Sequence, residues 1–530
     1  MLNHIPLNAL AKTAPLYRLA STSDNDRVLV LIQLHGGNDG LNTIIPINQY
    51  AEYYQLRPNL AIPDNGKRKY IELDSTLSVE DQVGLHPDLT HMKELYDRAK
   101  VNIVQNVAYE NVNGSHFRSR DIWFMGGDYD EYLPSGWMGR LLDHEFPGYP
   151  ENYPNAGMPD PLAIEIGNGV SLAFHRSNGI PTAISIQNPE QFYDLITSVG
   201  GAPPEHIENT HYGEELKWIM DIEEKSNQYA GRLKEAYEQG SNSPKVPYPE
   251  LYPLNAPSGR IRNRLAPQLK MIARLLSGGV KTKIFLARLG GFDTHAEQVE
   301  AYDATMGTHA ALLYHISSAM KAFQDDLKEL GLEDRVITMT FSEFGRRAYS
   351  NGSYGSDHGT AAPMFVFGKM VKPGVIGTNP DLNSLDNGNL VHQYDYRQVF
   401  ASAVVDWLEA DSDAVNATLF GNWVDSRLPI IGNGITGTTE AFLNTRNFLE
   451  DCYPNPVSQS TVFGFRISSR NRVKLEITDI KGRSVQTVLD EVRDAGLHHV
   501  TADLSLLKKG AYLYKITAGH LEETKKLIRK

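Results

Sequence analysis

Four runs of mostly apolar residues, each followed by a loop with polar side chains, place the strongest constraint on the fold of this chain. They cover residues 27–34, 101–107, 283–289 and 335–341. A continuous apolar run of this length is typical of a strand that is buried on both faces of a parallel sheet. The four runs therefore predict strands of a parallel sheet.

Two segments between these runs have the pattern of helices. Residues 301–330 carry an apolar stripe at helical spacing, formed by Leu312, Ile316, Met320, Phe323 and Leu327. A further helix is predicted to begin at Ser115, after the second run. Strands that alternate with helices indicate an α/β domain. Because open α/β sheets bind ligands beyond the carboxyl ends of their strands, we expect the polar loops to converge on one site.

Residues 453–530 have a different pattern. Short alternating segments are separated by turn signals such as Lys481-Gly482. In one of these segments Val473, Leu475 and Ile477 are expected to face inward, and the residues between them to face water. Strands spaced in this way predict a small antiparallel β-sandwich.

The charge of the chain also changes near residue 450. The 530 residues carry a formal charge of −13, but residues 453–530 contain 14 Lys or Arg and 8 Asp or Glu, a net charge of +6 that leaves −19 for the rest. Together with the length, this shift predicts a domain boundary. The acidic balance argues against a nucleic-acid partner, which requires clustered basic residues.

Membrane and redox signals are weak. No apolar run approaches the roughly 18 residues that a membrane-spanning helix needs, so no transmembrane segment is expected. Residues 1–26 do not form a complete signal peptide. Cys452 is the single cysteine, which excludes an internal disulfide bond.

The loop after the third run contains the first candidate metal ligands. Asp293 and His295 are two residues apart, so in an extended segment both side chains point to the same side. The alternative is a turn aspartate followed by a surface histidine. Asp357 and His358 form a second candidate pair, for which the alternative is an Asp-initiated turn.

Two further segments contain candidates for binding or catalysis. Glu343 follows the fourth run, where a sheet presents ligands, and Arg346 and Arg347 beside it are suited to holding an anionic group. The alternative is that the two arginines complement surface acids. Ser115 lies at a predicted helix N-terminus, with His116 beside it, where an anion or a nucleophile is stabilised; the alternative is an ordinary N-cap.

Mixed carboxylate and imidazole ligands favour a divalent ion such as Zn²⁺ or Mn²⁺ over Ca²⁺. The candidates suffice for one or two ions, and two ions are suited to an in-line displacement. They are Asp39, Asp293, His295, Glu343, Asp357 and His358.

Several motifs occur in an order that resembles one family. They are LHGGNDGLNTIIP (34–46), GLHPDL (84–89), SHFRSRDIW (115–123), GGFDTH (290–295), SEFGRR (342–347), DHG (357–359) and DYRQVFASAVVDWL (395–408). Residues 27–445 thereby resemble the DUF1501 family of bacterial proteins, which is placed in the alkaline phosphatase-like superfamily. The resemblance implies an α/β/α sandwich with a metal site at the strand ends, as in phosphatases and sulfatases.

The same resemblance suggests roles for single residues. Asp39 matches the metal aspartate of the first strand, and Asp293 with His295 matches the aspartate-histidine metal pair. Glu343 takes the place of a later acidic ligand, and His358 that of the final histidine. Ser115 is the best match to the nucleophile at a helix N-terminus.

A second resemblance concerns the tail. YPNP (453–456), ITDIKGRSV (477–485), LKKGAYLYKI (507–516) and KKLIRK (525–530) resemble the type A C-terminal sorting domain of the type IX secretion system of Bacteroidetes. The resemblance implies contact with the secretion machinery and a secreted or cell-surface location, with a leader ahead of residue 1. The alternative is a carbohydrate-binding sandwich.

We thus expect an N-terminal segment (1–26), a catalytic domain (27–445) with a cap or insertion at about 200–262, a linker (446–452) and a sorting domain (453–530). The predicted function is hydrolysis of a small anionic ester or a polymer that carries phosphate or sulfate esters, with Ser115, His116 and Arg346 as catalytic residues. The alternative function is that of a non-catalytic surface or polymer-binding protein with a degenerate site.

Overall fold

The computed structural model describes residues 25–149, 152–187, 228–432, 448–449, 452, 455–467, 469–519 and 521–530. Two compact units divide the chain, Met1–Gly434 and Ile435–Lys530. Residues 200–227 of the expected cap and most of the expected linker lie outside the described residues, so the predicted domain limits stay predictions. Residues 228–239 at the end of the cap segment are helical.

The first unit contains a mixed α/β fold built on a nine-stranded sheet. In chain order the strands of this unit are β1 (Val28–His35), β2 (Ile44–Pro46), β3 (Ile71–Glu72), β4 (Val83–Leu85), β5 (Val101–Ala108), β6 (Ala163–Ile166), β7 (Ala183–Ile186), β8 (Ile284–Gly290), β9 (Val336–Phe341), β10 (Ala362–Phe367), β11 (Gly374–Ile376) and β12 (Tyr394–Asp395). The large sheet has the order β11-β5-β10-β9-β1-β8-β6-β7, with β12 paired to β5, and β2, β4 and β3 form a small separate sheet.

The helices of this unit connect the strands. They are α1 (Gly40–Thr43), α2 (Tyr50–Leu56), α3 (Thr90–Asp97), α4 (His116–Met125), α5 (Trp137–Glu145), α6 (Ala266–Ser277), α7 (Thr308–Glu329), α8 (Tyr396–Ser402) and α9 (Ser412–Ala417). Short 3₁₀ turns cover Ile47–Gln49, Leu172–Phe174 and Gly421–Trp423, and a π-helical turn, Ala403–Trp407, follows α8.

The four apolar runs form β1, β5, β8 and β9, as predicted from the sequence. Every residue of β5 and β9 is buried, which agrees with strands that are covered on both faces. One feature differs from a purely parallel sheet: β10 runs antiparallel to both β5 and β9. The segment 342–361 returns the chain along the same edge without a crossover helix, and such a return requires an antiparallel strand.

The two predicted helices are also present. Ser115 is the N-cap of α4. The apolar stripe of α7 is buried as predicted, but the helix begins at Thr308 rather than near residue 301. Gly307, with φ of 121°, precedes its first turn, and this conformation cannot belong to a right-handed helix.

The second unit consists of antiparallel strands. They are β13 (Phe448–Leu449), β14 (Ser460–Ile467), β15 (Asn471–Asp479), β16 (Ser484–Arg493), β17 (Gly496–Asp503), β18 (Gly510–Ala518) and β19 (Leu521–Arg529). One sheet has the order β13-β14-β17 and the other β16-β15-β18-β19. Val473, Leu475 and Ile477 are fully buried, which confirms their predicted orientation, and they share one hydrophobic cluster with Phe463 and Phe465 of the other sheet.

Among the described residues, no helix is both long enough and apolar enough to cross a membrane.

Candidate metal centre

Three ligand atoms from three different loops meet at one edge of the large sheet. His116 follows β5, Asp293 follows β8, and His358 precedes the antiparallel strand β10. One nitrogen from each histidine and one oxygen of Asp293 lie within 4.8 Å of one another. The carboxyl ends of β5 and β8 and the start of β10 lie at the same edge, because β10 runs in the opposite direction. The spacing of the three atoms is that of a group able to hold one metal ion.

His358 is oriented by a backbone carbonyl. Its Nδ1 atom lies 2.7 Å from the carbonyl oxygen of Gly114. A carbonyl can only accept, so Nδ1 carries the hydrogen and Nε2 of the neutral ring has a free lone pair. Nε2 is buried, has no hydrogen-bond partner among the described residues and lies 3.5 Å from Oδ1 of Asp293. Burial lowers the pKa of His358, although the bond to Gly114 opposes the shift, which favours the neutral ring that a metal requires.

His116 is oriented in the same way by a carboxylate. Its Nδ1 atom lies 2.9 Å from Oε1 of Glu343, which also accepts from the backbone N–H of Gly36 at 2.8 Å. Nε2 of His116 therefore faces the centre, at 3.4 Å from Oδ2 of Asp293, and it has no hydrogen-bond partner among the described residues. Glu343 itself is fully buried. Its position behind the histidine is that of a residue that orients a ligand.

Asp293 supplies the oxygen of the group. Its side chain is 50% exposed, and Oδ1 lies 2.7 Å from both Nη2 of Arg346 and Nδ1 of His295. Burial acts to raise the pKa of Asp293, but the hydrogen bond and charge of Arg346, with the nearby histidines, lower it to about 2. The carboxylate is therefore ionised at any pH at which the neighbouring histidines are neutral.

The glycines of the first loop allow a close approach to Asp293. Gly36 has a φ of 124°, and a Cβ atom there would lie 2.2 Å from the backbone nitrogen of Asp293. Only glycine combines this conformation with this contact. The LHGGND motif thus brings the backbone of the β1 loop against the loop that follows β8.

Arg346 is buried and holds the loops together. Its guanidinium donates to the carbonyl oxygens of Gly36, Gly37, Phe292 and Ser356 as well as to Asp293. Only 1% of the residue is exposed. The sequence suggested that Arg346 holds a substrate anion; in the structure its donors are directed to the protein, in a positioning role.

His295 lies beside the group of three rather than within it. Its Nδ1 atom contacts Asp293, and its ring lies 4.5 Å from that of His358, measured between centroids. Its side chain is exposed, with a relative accessibility of 47%. An exposed imidazole that is paired with a carboxylate is suited to proton transfer at the rim of the site.

Asp39, the expected ligand from the first loop, is engaged elsewhere. Nη1 of Arg57 donates to both of its oxygens, at 2.9 and 2.7 Å, and Nε2 of Gln298 donates to Oδ2 at 2.5 Å. The pair is buried, and Asp39 also accepts from the backbone N–H of Asn42 as the N-cap of α1. Burial acts to raise the pKa of Asp39, but the charge of Arg57, the nearby His309 and the hydrogen bonds from Gln298 and Arg57 together lower it. The structure does not bring Asp39 into the group of three.

The other predicted residues, Asp357, Ser115 and Arg347, do not belong to the group of three. Asp357 is exposed, and Oδ1 accepts from Nδ2 of Asn351 at 3.0 Å. Ser115 is exposed, and its side chain does not cap α4. Arg347 donates to the carbonyl oxygen of Asn387.

Sequence reasoning did not identify Gln298, which lies behind the site. Its Oε1 atom accepts from Thr294 at 3.1 Å and from Ser356 at 2.6 Å, while Nε2 donates to Asp39. Thr294 lies between Asp293 and His295, so this buried amide connects three loops. No local pattern distinguishes Gln298 from a surface glutamine, because its partners are distant in sequence. His116 was predicted as a catalytic residue, and its place among the ligand atoms depends on the position of α4.

A second group with ligand spacing lies in the same unit. His144, Asp411 and Asp413 are all exposed, and Asp411 already serves as the N-cap of α9. This group has the ordinary features of a polar helix end.

Together, the fold and the geometry define a mixed α/β protein with a His₂Asp group at the loop edge of its sheet, and the donor set and the two unpartnered Nε2 atoms fit a divalent transition ion. Residues 226–423 match the family model described as "Protein of unknown function (DUF1501)". Residues 451–530 match "Secretion system C-terminal sorting domain", the sorting domain of the type IX system. These matches confirm both resemblances, the first over residues 226–423 and the second over residues 451–530. No curated protein matches the chain.

Similar solved structures fall into two groups. A protein in the alkaline phosphatase superfamily from Vibrio parahaemolyticus is 12% identical, with 91% of this chain and 83% of that chain covered and a TM-score of 0.29. The alkaline phosphatase from the Antarctic bacterium TAB5 is 11% identical, with 65% and 92% covered and a TM-score of 0.26. Dimeric latent PorU from Porphyromonas gingivalis is 24% identical, with a TM-score of 0.14; 16% of this chain is covered, and this chain spans only 9% of PorU.

Proposed function

We propose that this chain is an exported, metal-dependent hydrolase of phosphate or sulfate esters, with an α/β/α sandwich as its catalytic domain. The sorting domain indicates export to the cell surface or the medium. The hydrolase activity, the substrate class and the roles of single residues are the parts that we propose.

One observation carries the proposal: both histidines of the group are held through Nδ1, so that both Nε2 atoms are directed at the Asp293 carboxylate. Glu343 holds His116, and the carbonyl of Gly114 holds His358. Buried imidazole nitrogens without partners are costly unless a ligand satisfies them. This arrangement of an orienting acceptor, an imidazole and a vacant lone pair is typical of metal-ligating histidines.

The residues of the site would have different roles in ester hydrolysis. His116, Asp293 and His358 would hold one divalent ion, of the Zn²⁺ or Mn²⁺ type. Such an ion polarises an ester oxygen and makes water a better nucleophile at neutral pH. His295, whose Nδ1 is held by Asp293, would transfer a proton through its other nitrogen to the leaving oxygen. Ser115 stays a candidate nucleophile because it is exposed at the start of the helix that carries His116.

A second candidate function is that of a non-catalytic exported binding protein. It is favoured by the engagement of Asp39 with Arg57 and Gln298 and of Arg346 with backbone carbonyls. Neither side chain is available for a second ion or for a substrate anion without a rearrangement. Under this reading the group would bind a metal for structural reasons or bind none.

Metal content and activity distinguish the two functions. Purified protein would be loaded separately with Zn²⁺, Mn²⁺, Mg²⁺ and Ca²⁺ and assayed on phosphate and sulfate monoesters and diesters. We expect about one Zn²⁺ or Mn²⁺ per chain and ester hydrolysis, both lost in Asp293→Asn and both kept in the exposed control Asp425→Asn. A folded wild-type chain that binds metal and hydrolyses none of these esters would instead support the binding protein.

A further inference from the structure

A cavity lined by charged, polar and apolar residues opens at the same edge of the sheet as the metal centre. Its volume is about 450 Å³, within the range of small-molecule sites. It is bounded by α4 on one side and by β8 and the loop after β6 on the other. Its polar lining consists of Arg120, Asp121, Glu165, Asn168, Ser171 and Arg288.

The cavity adjoins the metal centre through two elements. Arg120 lies four residues after His116 on α4, on the same helix face and about 6 Å further along the axis. His35, at the end of β1, has its ring 6.1 Å from that of His116, measured between centroids. Arg288 of β8 is paired in register with Gln33, two residues before His35 on the same face of β1. A ligand that reached from the centre past His35 would therefore meet Arg288 and Arg120.

The charges in the cavity are balanced. Nη2 of Arg288 lies 3.4 Å from Oε1 of Glu165, and its Nε donates to Oε1 of Gln33 at 2.9 Å. Nη2 of Arg120 lies 3.2 Å from Oδ1 of Asp121. The lining thus contains two arginines, each paired with one carboxylate. A second anionic group on the ligand would be repelled by the two carboxylates. An apolar ligand group is also disfavoured, because it would separate the charged side chains from water without replacing their hydrogen bonds.

We propose that this cavity binds the leaving group of the ester and that this leaving group is a polyhydroxylated, sugar-like alcohol. A hydroxyl group both donates and accepts, so neighbouring hydroxyls can pair with a guanidinium and a carboxylate at the same time. Asn168, exposed on the loop after β6, offers one further donor and acceptor. The inference rests on the proposed hydrolase function and specifies the substrate of that site.

Matched esters test the cavity through activity. The substrates are the 6-phosphates and 6-sulfates of glucose, galactose and mannose, each compared with n-hexyl phosphate or n-hexyl sulfate. We expect kcat/KM at least about tenfold higher for one of the hexose esters than for its alkyl counterpart, as expected for about 1.4 kcal/mol of added binding. In Arg288→Met this preference should disappear through a higher KM, with the alkyl ester unaffected. The control Arg264→Met changes an exposed arginine outside the cavity lining.

Arg288→Met leaves the buried Glu165 without its arginine, so a milder variant is needed. Asn168→Ala lies on an exposed loop and should fold normally while reducing the preference for the hexose ester. A fully folded Asn168→Ala and a fully folded Arg288→Met that both keep the wild-type preference would overturn the proposal.

A binding measurement separates this inference from the hydrolase proposal. Saturation-transfer NMR would be recorded with methyl glycosides of the three hexoses on metal-free wild-type protein and on Arg288→Met. Glycoside binding that is lost in the variant supports the cavity even if no ester is hydrolysed, in which case only the hydrolase proposal fails. Hydrolysis of alkyl and hexose esters at equal rates, with no glycoside binding, overturns the cavity proposal and leaves the hydrolase intact. If the protein neither hydrolyses the esters nor binds the glycosides, both proposals are overturned.

Discussion

Glu343 is buried behind His116, and its Oε1 atom lies 2.9 Å from Nδ1 of the imidazole. The same oxygen accepts from Gly36, so the carboxylate is fixed from two sides. An acceptor in this position selects the tautomer of the histidine and raises the basicity of its other nitrogen. We therefore propose that Glu343 would act on a bound metal through His116 rather than by direct contact.

Replacement of Glu343 by glutamine should weaken metal binding without abolishing it. The amide oxygen can still accept from His116, but the negative charge that makes the ligand more basic is lost. We expect Kd for Zn²⁺ to rise by about 10- to 100-fold, measured by competition with a chelator. Glu238→Gln, an exposed acid on the helix 228–239, is the matched control. An unchanged Kd for Zn²⁺ in Glu343→Gln would show that the negative charge of Glu343 does not strengthen metal binding through His116.

Asp39 and Asp293 should respond differently to the same substitution. Both oxygens of Asp39 are held by Arg57, whereas Asp293 faces the two free Nε2 atoms. Asp39→Asn should therefore retain one bound ion per chain, and Asp293→Asn should lose it. Metal content after gel filtration measures both. Loss of the ion in a folded Asp39→Asn variant would show that Asp39 is a metal ligand, as the sequence suggested.

Replacement of Gln298 by leucine should disturb both the stability and the site. The variant removes the buried hydrogen bonds of Gln298 to Asp39, Thr294 and Ser356 and leaves the Ser356 hydroxyl without a partner, at a cost of about 1–3 kcal/mol for the unpaired group. We expect a lower free energy of unfolding in denaturant and a weaker affinity for Zn²⁺, because Thr294 lies next to Asp293. Gln324→Leu is the matched control, since the side-chain amide of this buried glutamine has no hydrogen-bond partner among the described residues. Equal effects of the two substitutions would contradict the proposed role of Gln298.

The stability should depend on pH through His309. Burial lowers the pKa of this histidine to about 4, although Asp39 opposes the shift, and Nε2 lies 3.1 Å from Oδ1 of Asn38. As the pH falls below 6.5, the unfolded chain takes up a proton that the folded chain does not. The contribution to stability is therefore complete above pH 6.5 and is lost between pH 6.5 and pH 4.

The measurement compares wild type with His309→Gln by denaturant unfolding at pH 7.5 and pH 4.5. Between these values we expect the wild type to lose about 2 kcal/mol more than the variant. Other groups titrate in the same range, but they contribute equally to both proteins. Parallel pH profiles would contradict the neutral, buried state of His309.

Removal of the second unit should prevent export. A chain that ends at Gly434 keeps the whole first unit but lacks the sorting domain. Expressed behind a signal peptide for inner-membrane export in a host that has a type IX system, it should accumulate inside the cell envelope, while the full chain reaches the surface or the medium. Fractionation and immunoblotting measure this, and a reporter fused to residues 435–530 is the complementary test. Surface delivery of the shortened chain would contradict the sorting role.

The sequence by itself determined the elements and their order. Residues 27–34, 101–107, 283–289 and 335–341 became strands because continuous apolar segments are stable only where both faces are covered. The inward alternation of Val473, Leu475 and Ile477 followed from the two-residue period of a strand. The DUF1501 and sorting-domain motifs were recognisable because they are local strings of residues.

Only the tertiary structure decided which polar residues share a site. Asp39 and Asp293 both follow strands at the same edge of the sheet. Arg57, eighteen residues after Asp39, forms an ion pair with Asp39, whereas two histidines face Asp293. The roles of Arg346 and Gln298 likewise depend on partners from other loops. Sequence spacing fixes where a side chain leaves the backbone. Whether it meets a ligand, an ion pair or a carbonyl is decided by segments tens to hundreds of residues away.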